Sequence, residues 1–434
     1  MLSRLDLRGA GGDDLRARLP RPAPSGPPPI DAVREILAEV RKRGDDAVRE
    51  YTRRFDRADV DELRVPREQL FAALAATPPP LRLALEAAHG AIAAFHRTQL
   101  HDEPRYERDG LAVVELRRAV DRAGVYVPGG RAGYPSTVLM TAVPARVAGV
   151  AEVVLCVPPR PDGTVDPPTL AAAALAGVHE VYRIGGAQAI GAMAYGTDSI
   201  RPVDVIVGPG NVYVALAQRE VAAEGVVGVS SAFAGPSEVV VVADATAPVE
   251  WAAIDVIVQA EHGPDGLAWL VTWDEEVADR VTEAVSRLVA ESPRRADIEA
   301  TLEEGGYAVV VDGPEQAMQV ANAIAPEHLE LMSERPEALL PLVRHAGAVF
   351  CGSWSPASVG DYIAGPSHVL PTYGSARFAG GLRVDDFLRH IHAIALDADA
   401  LAGVAGNVAA LADAEGLAAH AESVRMRVRA LGTR

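Results

Sequence analysis

The chain reads as an α/β protein built on two blocks of parallel βαβ layers, with a helical region before them and a helical tail after. Three observations carry this reading. From about residue 113, short Val-rich runs alternate with Ala-rich segments long enough to hold a helix. Gly-rich joints punctuate that alternation. Aromatic residues are scarce, at 5% of a chain that is 49% hydrophobic, so short aliphatic side chains must fill closely packed layers. At 434 residues the chain exceeds one ordinary core, and two or more domains are expected.

Residues 1–30 end in a Pro-rich tract, Pro20 to Pro29, which reads as an extended arm. Asp31 is the expected N-cap of a helix from Ala32 to Arg43 that Gly44 stops, and Asp45 caps the next, Ala47 to Phe55. Thr77-Pro78-Pro79-Pro80 introduces a long helix from Leu81 to about Gln99. The first hundred residues therefore read as helical, with no sheet. Strands are predicted at Val153–Val157, Glu180–Ile184, Val203–Val207, Val239–Ala243, Trp269–Thr272, Ala308–Val311 and Ala348–Cys351. The expected organisation is an arm and helical region over 1–110, a first block over 111–236, a second over 237–380, and a helical tail over 381–434.

The net charge of −18 argues against nucleic acid as a partner, because phosphate binding needs a basic face. Cys156 and Cys351 each sit in an apolar, strand-like run, the pattern of reduced core thiols in a cytoplasmic protein. No apolar run reaches the ~18 residues that would cross a bilayer. The early charges of Met1-Leu2-Ser3-Arg4-Leu5-Asp6 do not fit a secretory signal.

Three joints offer ligand-binding geometry: Tyr126-Val127-Pro128-Gly129-Gly130, Gly185-Gly186-Ala187-Gln188 and Gly208-Pro209-Gly210-Asn211. Glycine lets a backbone approach a ligand closely, and a helix N-terminus that follows favours phosphate. Gln188 and Asn211 suit ribose or amide groups, and Tyr126 suits a ring. None is the G-x-G-x-x-G fingerprint, and each alone also reads as a tight βα turn. As a set they would lie at the C-terminal ends of parallel strands, where open α/β sheets bind ligands.

In the second block, Gln259 and His262 are three apart at the end of an apolar helix that Gly263-Pro264 must stop. They read either as a capped helix end or as two ligands to a metal or polar substrate. Ser237 reads as a turn hydroxyl before a strand. Glu327-His328 reads as a proton-transfer pair or as a solvated helix start after Pro326. Asp361 lies in a Gly-flanked loop, His368 in a rigid, Pro-bounded segment, and Glu415 and His420 near a helix start in the tail. Gln259, His262, Asp361 and His420 together offer two imidazoles, a carboxylate and an amide, a set that suits Zn²⁺, with Mn²⁺ or Co²⁺ as substitutes. Residue chemistry stops at a metal and a nucleotide in a two-block α/β protein.

Joint occurrence of the motifs goes further. Tyr126 to Gly130, Arg183-Ile184-Gly185-Gly186-Ala187-Gln188-Ala189, Val207-Gly208-Pro209-Gly210-Asn211, Ala234-Gly235-Pro236-Ser237-Glu238, Gln259-Ala260-Glu261-His262, Pro326-Glu327-His328-Leu329-Glu330 and His368-Val369-Leu370-Pro371-Thr372 resemble the histidinol dehydrogenase family. The tail Glu415-Gly416-Leu417 with His420 fits too, so the resemblance spans nearly the whole chain.

The resemblance implies two Rossmann-like domains and a zinc- and NAD-dependent enzyme of histidine biosynthesis. L-histidinol would be oxidised through an enzyme-held aldehyde to L-histidine, with two NAD⁺ consumed. Carried over by position, one zinc per subunit would be held by Gln259, His262, Asp361 and His420. NAD would contact Tyr126, Gln188 and Asn211. Substrate would contact Ser237, His328, Glu415 and His368 beside the metal ligands. His328 would serve as general base, and Glu327 would activate water. Glu415 and His420 would enter the partner subunit's site, which implies an intertwined homodimer.

Two positions depart from the family pattern: Ser367 stands where Asn is usual, and Gly263 where Asp is usual. They leave room for a dehydrogenase of another primary alcohol, such as a sulfonated diol. A zinc hydrolase using Glu327 as base and no nucleotide is the alternative from another class.

Overall fold

The computed structural model describes residues 1–20, 28–129, 133–230, 235, 237–263 and 266–431. The chain opens with strand β1 (Ser3–Asp6). After the N-terminal helices come β2 (Arg105–Arg108), β3 (Leu111–Ala119) and β4 (Arg122–Tyr126). The first parallel block adds β5 (Glu152–Val157), β6 (Glu180–Arg183), β7 (Val205–Val207) and β8 (Gly228–Val229). The second adds β9 (Glu238–Ala243), β10 (Leu267–Thr272), β11 (Gly306–Val310), β12 (His328–Met332) and β13 (Ala348–Cys351). Last comes β14 (Leu388–Leu396).

By contacts, the chain divides into a large unit, Met1–Gln99 with Asp121–Phe387, and a small one, Leu100–Val120 with Leu388–Arg434. The large unit holds two parallel sheets, one ordered β6-β5-β4-β7-β8 and the other β1-β11-β10-β9-β12-β13. Helices cover them, so their central strands are apolar along most of both faces. β9 shows this residue by residue: Val239, Val241 and Ala243 enter one core, while Val240 and Val242 enter the other. Each fully buried valine contributes ~1.5–3 kcal/mol, which is why this run is nearly all valine. The β4–β8 sheet packs Val154, Cys156 and Ile206 against Ile190 and Met193 of the helix Gly186–Tyr195.

The small unit is an antiparallel sheet ordered β14-β3-β2, followed by helices Ala398–Ala414 and Ala418–Leu431. The tail is thus not helical throughout from Gly381: β14 precedes its helices. All but one residue of β14 is exposed, so no buried alternation marks it as a strand.

The first hundred residues also hold a strand that their sequence does not announce. β1 pairs in parallel with β11, Ser3 opposite Tyr307 and Asp6 opposite Val310. Four residues, three of them polar, are too short to show a period. Leu7, Leu15 and Leu19 then pack in the core that holds Trp269. Of the Pro-rich tract, residues 21–27 lie outside the described residues; Pro28 and Pro29 lead into helix Ile30–Arg43. That helix is capped by Pro29 rather than Asp31, which sits in its first turn. Gly44, at φ +55°, ends it and starts helix Asp45–Phe55, taking the cap expected of Asp45. The long helix spans Pro79–Arg97.

Candidate active site

The acid–base residues converge at the N-terminal ends of β9 and β12. Ala325 takes a left-handed φ of +55° at the end of helix Pro314–Ile324, and Pro326 follows. This turn delivers Glu327 and His328 into the start of β12, so the expected alternative of a solvated helix start does not apply. Both side chains are buried. The backbone N–H of Glu238, the first residue of β9, donates to Glu327 Oε2 at 3.1 Å. The carbonyl of the same Glu238 lies 3.2 Å from His328 Nδ1, which must donate to it. His328 Nε2 is 3.3 Å from Asp361 Oδ1.

Burial pushes the Glu327 carboxyl up to about 7, with the charge on His328 pulling the other way. Burial works against a charged His328, yet the Glu327 and Asp361 carboxylates outweigh it and raise the imidazole to about 9. A carboxyl raised to about 7 and an imidazole raised to about 9, side by side and anchored to one backbone residue, are placed so that they can exchange protons with a ligand between them.

Asp361 lies in the short helix Ala357–Tyr362. Its Oδ2 is 3.5 Å from the buried Gln259 amide nitrogen, at the end of helix Val249–Val258. His368 bonds through both ring nitrogens, Nδ1 to the Asp361 carbonyl at 2.9 Å and Nε2 to Thr137 Oγ1 at 3.1 Å. It holds the Asp361 turn in place. Ser237 is half-buried just before Glu238, and its carbonyl accepts from the Leu267 N–H.

Two carboxyls that the sequence reading passed over sit behind this site. Asp255 lies one turn before Gln259, and Glu330 lies two residues after His328 on β12. Burial raises both, and the Asp255 charge raises Glu330 further, so the pair retains a proton. Glu330 Oε1 also accepts from the N–H of Ala357, the first residue of the Asp361 helix. The pair therefore braces the elements that carry Gln259 and Asp361. A lone acid inside the apolar run Trp251 to Val258 was the available signal.

For a metal, Gln259 and Asp361 converge and offer oxygen donors, once the Gln259 amide is oriented with its oxygen inward. The His262 side chain lies outside the described residues; its backbone closes the turn Ala260–His262. Glu415 and His420 are exposed in the small unit. Among the described residues, no group of three His, Cys, Asp or Glu side chains is gathered to hold a metal.

The two departures from the family pattern have local explanations. Ser367 is buried; its hydroxyl donates to the Met140 carbonyl at 2.9 Å and accepts from the Val369 N–H at 3.2 Å. Gly263 takes φ +133°, a conformation that a side chain would strain, and its carbonyl accepts from the buried Thr301 hydroxyl at 2.6 Å.

The Gly-rich joints do lie at the C-terminal ends of β4, β6 and β7, around a cavity of about 730 Å³, a size suited to a small-molecule cofactor. Tyr126, Gln188 and Asn211 all line it. Gln188 is fully buried and neither amide atom has a hydrogen-bond partner, so both are left for a ligand. Asn211 caps helix Val212–Ala223 by accepting from the Tyr213 and Val214 N–H groups, which leaves its amide NH₂ to donate. Tyr126 is a buried wall rather than an open stacking ring, and its hydroxyl accepts from the Gly186 N–H at 3.1 Å. A Cβ at Gly208, φ +118°, would lie 2.0 Å from the Tyr126 carbonyl oxygen, so only glycine lets these two joints close together.

The family model for histidinol dehydrogenase matches residues 25–428. The chain is 52% identical over 394 residues to the histidinol dehydrogenase of Parasynechococcus marenigrum, covering 91% of this chain and 90% of that one. It is 46% identical to that of Gluconobacter oxydans, covering 98% and 99%. The crystal structure of histidinol dehydrogenase from Elizabethkingia anophelis superposes with a TM-score of 0.94 at 33% identity, over 99% of this chain and 98% of that one. The chain belongs to the histidinol dehydrogenase family.

Proposed function

We propose that the chain oxidises L-histidinol through an enzyme-held L-histidinal to L-histidine, and that a homodimer with shared sites does so in the cytoplasm. The observation that carries this reading is the buried Glu327–His328 pair, with His328 Nε2 on Asp361. NAD⁺ would be held at Tyr126, Gln188 and Asn211 and would supply the hydride acceptor for both steps. Zinc would be held by Gln259, His262, Asp361 and His420 of a second copy, would supply a template for the substrate's imidazole and amino nitrogens, and would offset the Asp361 charge, which together with that of Glu327 favours a protonated His328.

His328 Nε2, the nitrogen not tied to the Glu238 carbonyl, takes the proton of the alcohol as the first hydride leaves. Glu327 takes a proton from water, which adds to the aldehyde carbon while His328 returns its proton to the carbonyl oxygen. His328 then takes the hydroxyl proton of the resulting hydrate as the second hydride leaves. Ser237, Glu415 and His368 border the substrate. Holding the aldehyde between steps keeps it from side reactions.

Purified protein given only L-histidinol and NAD⁺ is expected to form two NADH per histidinol. NADH formation only with another primary alcohol would overturn the substrate, and none with any alcohol would support a hydrolase. No observation favours those alternatives, since Ser367 and Gly263 serve local structure and a nucleotide-sized cavity is present.

The small unit leaves Ile391, Ile394, Leu411 and Met426 exposed, apolar surface that a second copy would cover. The free thiols Cys156 and Cys351 suit a reducing compartment. Shared sites make a specific prediction. Inactive His420→Ala and inactive His328→Ala subunits, unfolded together and refolded, should regain about a quarter of wild-type activity, because one site of each mixed dimer is intact. No regain would place His420 in its own subunit's site.

A further inference from the structure

The dinucleotide cavity contains a carboxylate that none of the motifs above includes. Asp56 follows helix Asp45–Phe55, and its backbone N–H closes that helix on the Thr52 carbonyl. Its side chain lines the cavity together with Tyr126, Pro158, Gly186 and Gln188. The cavity wall is close: a Cβ on Gly185 would lie 3.2 Å from Asp56 Oδ1. Asp56 Oδ2 is buried without a hydrogen-bond partner. Burial pushes this carboxyl up to about 6.

An ionised carboxylate accepts and cannot donate, so a ligand that satisfies Asp56 must present hydroxyl or amine hydrogens. In a dinucleotide the groups that offer two such hydrogens at carboxylate spacing are the vicinal hydroxyls of the riboses. Gln188, with both amide atoms unpartnered in the same cavity, is poised to take neighbouring polar atoms of the same ligand. We infer that Asp56 accepts hydrogen bonds from the vicinal hydroxyls of a ribose of the bound dinucleotide. The inference rests on the reading of this cavity as the NAD site. It also makes the helical region before the first sheet a working part of that site, supplying from a helix end the acid that the G-x-G-x-x-G fold supplies about 20 residues past its motif.

The test is calorimetric titration of the full-length, zinc-loaded protein with NADH and with NADPH. Asp56→Ala and Asp56→Asn should each weaken NADH binding at least about tenfold, as expected when hydrogen bonds to a charged acceptor are lost. Zinc content should be unchanged. The variants should also separate a ligand role from a structural one. The Asp56 carboxyl is raised from 3.8 to about 6 in the folded protein, so it favours folding least above pH 6, where it is ionised and buried. Asp56→Asn removes that cost, so without nucleotide at pH 8 it should melt no lower than wild type; a clear fall in melting temperature, with NADH affinity falling in step, would make Asp56 structural and overturn the inference.

NADPH distinguishes the two riboses. If Asp56 holds the adenosine ribose, Asp56→Asn narrows the preference for NADH over NADPH, because a 2′-phosphate no longer meets a buried negative charge. If it holds the nicotinamide ribose, both ligands weaken equally. NADH affinity within about twofold of wild type for both Asp56 variants, while Gln188→Ala binds weakly, would remove Asp56 alone. Unchanged affinity for Gln188→Ala as well would overturn the cavity as the NAD site, and the inference with it.

Discussion

Replacing His328 with Ala is expected to lower turnover with histidinol by about 10²–10⁴, the usual contribution of one positioned base. The argument is geometric before it is electrostatic. His328 is the first residue of β12, flanked by β9 and β13, so its backbone is fixed by ladders on both sides. The Glu238 carbonyl fixes the ring through Nδ1, which leaves Nε2 as the nitrogen that works. His368 does not take over, because both its nitrogens are bonded, to the Asp361 carbonyl and to Thr137. Truncation also empties a buried volume, so the variant should be less stable, and melting temperature and NADH affinity must be measured beside kcat. His328→Asn, which keeps a polar group at the site, should fill more of that volume while remaining as slow. Near-normal turnover in a folded variant that retains zinc would remove His328 from the role of base.

Glu327→Gln is expected to separate the two oxidations. The first needs no activated water, so NADH should form once per histidinol, and the aldehyde should be recoverable with an added hydrazine. The second should fall by about 10²–10⁴. The glutamine keeps an acceptor for the Glu238 N–H, so the fold around β9 and β12 should persist. The same assignment fixes a pH dependence. Glu327 must be ionised to take a proton from water, and its carboxyl is raised from 4.5 to about 7. The hydration step in wild type should therefore rise with pH through about 7 and level off above it. A variant that still yields two NADH at the wild-type rate would assign water activation to another group.

The comparison of sequence with structure has a physical pattern. All seven strands read from Val-rich runs are present, because strands buried on both faces have to be apolar throughout. β12 was missed for the opposite reason. It too is buried on both faces, but one of them carries His328 and Glu330, polar residues where a doubly buried strand is expected to be apolar. The residues that disguise the strand are those that carry or brace the chemistry. Among the expected site residues, the fold brings Glu327, His328 and Asp361 together, with Gln259 beside them. Asp255 shows in the sequence only as a lone acid in an apolar run, and the roles of Asp56 and Glu330 do not show at all, because a carboxylate becomes notable only once its burial and the absence of a basic partner are seen. Glu415 and His420 carry no local signal beyond their motif, and both stand exposed in the small unit.

The pairing of β1 with β11 bears on how the chain is made. Ser3 to Asp6 leave the ribosome early, yet their only ladder partner among the described residues is Tyr307 to Val310. At ordinary elongation rates that strand waits about 15–60 s for its neighbour. During that interval its backbone groups and Leu7, Leu15 and Leu19 have no core to enter, although helices 30–43 and 45–55 can already form beside the first sheet. The oldest strand of the second sheet therefore joins it only after β11 has been made. Slowing translation between the two blocks should lengthen the exposure of that early segment and raise the share of nascent chains engaged by chaperones.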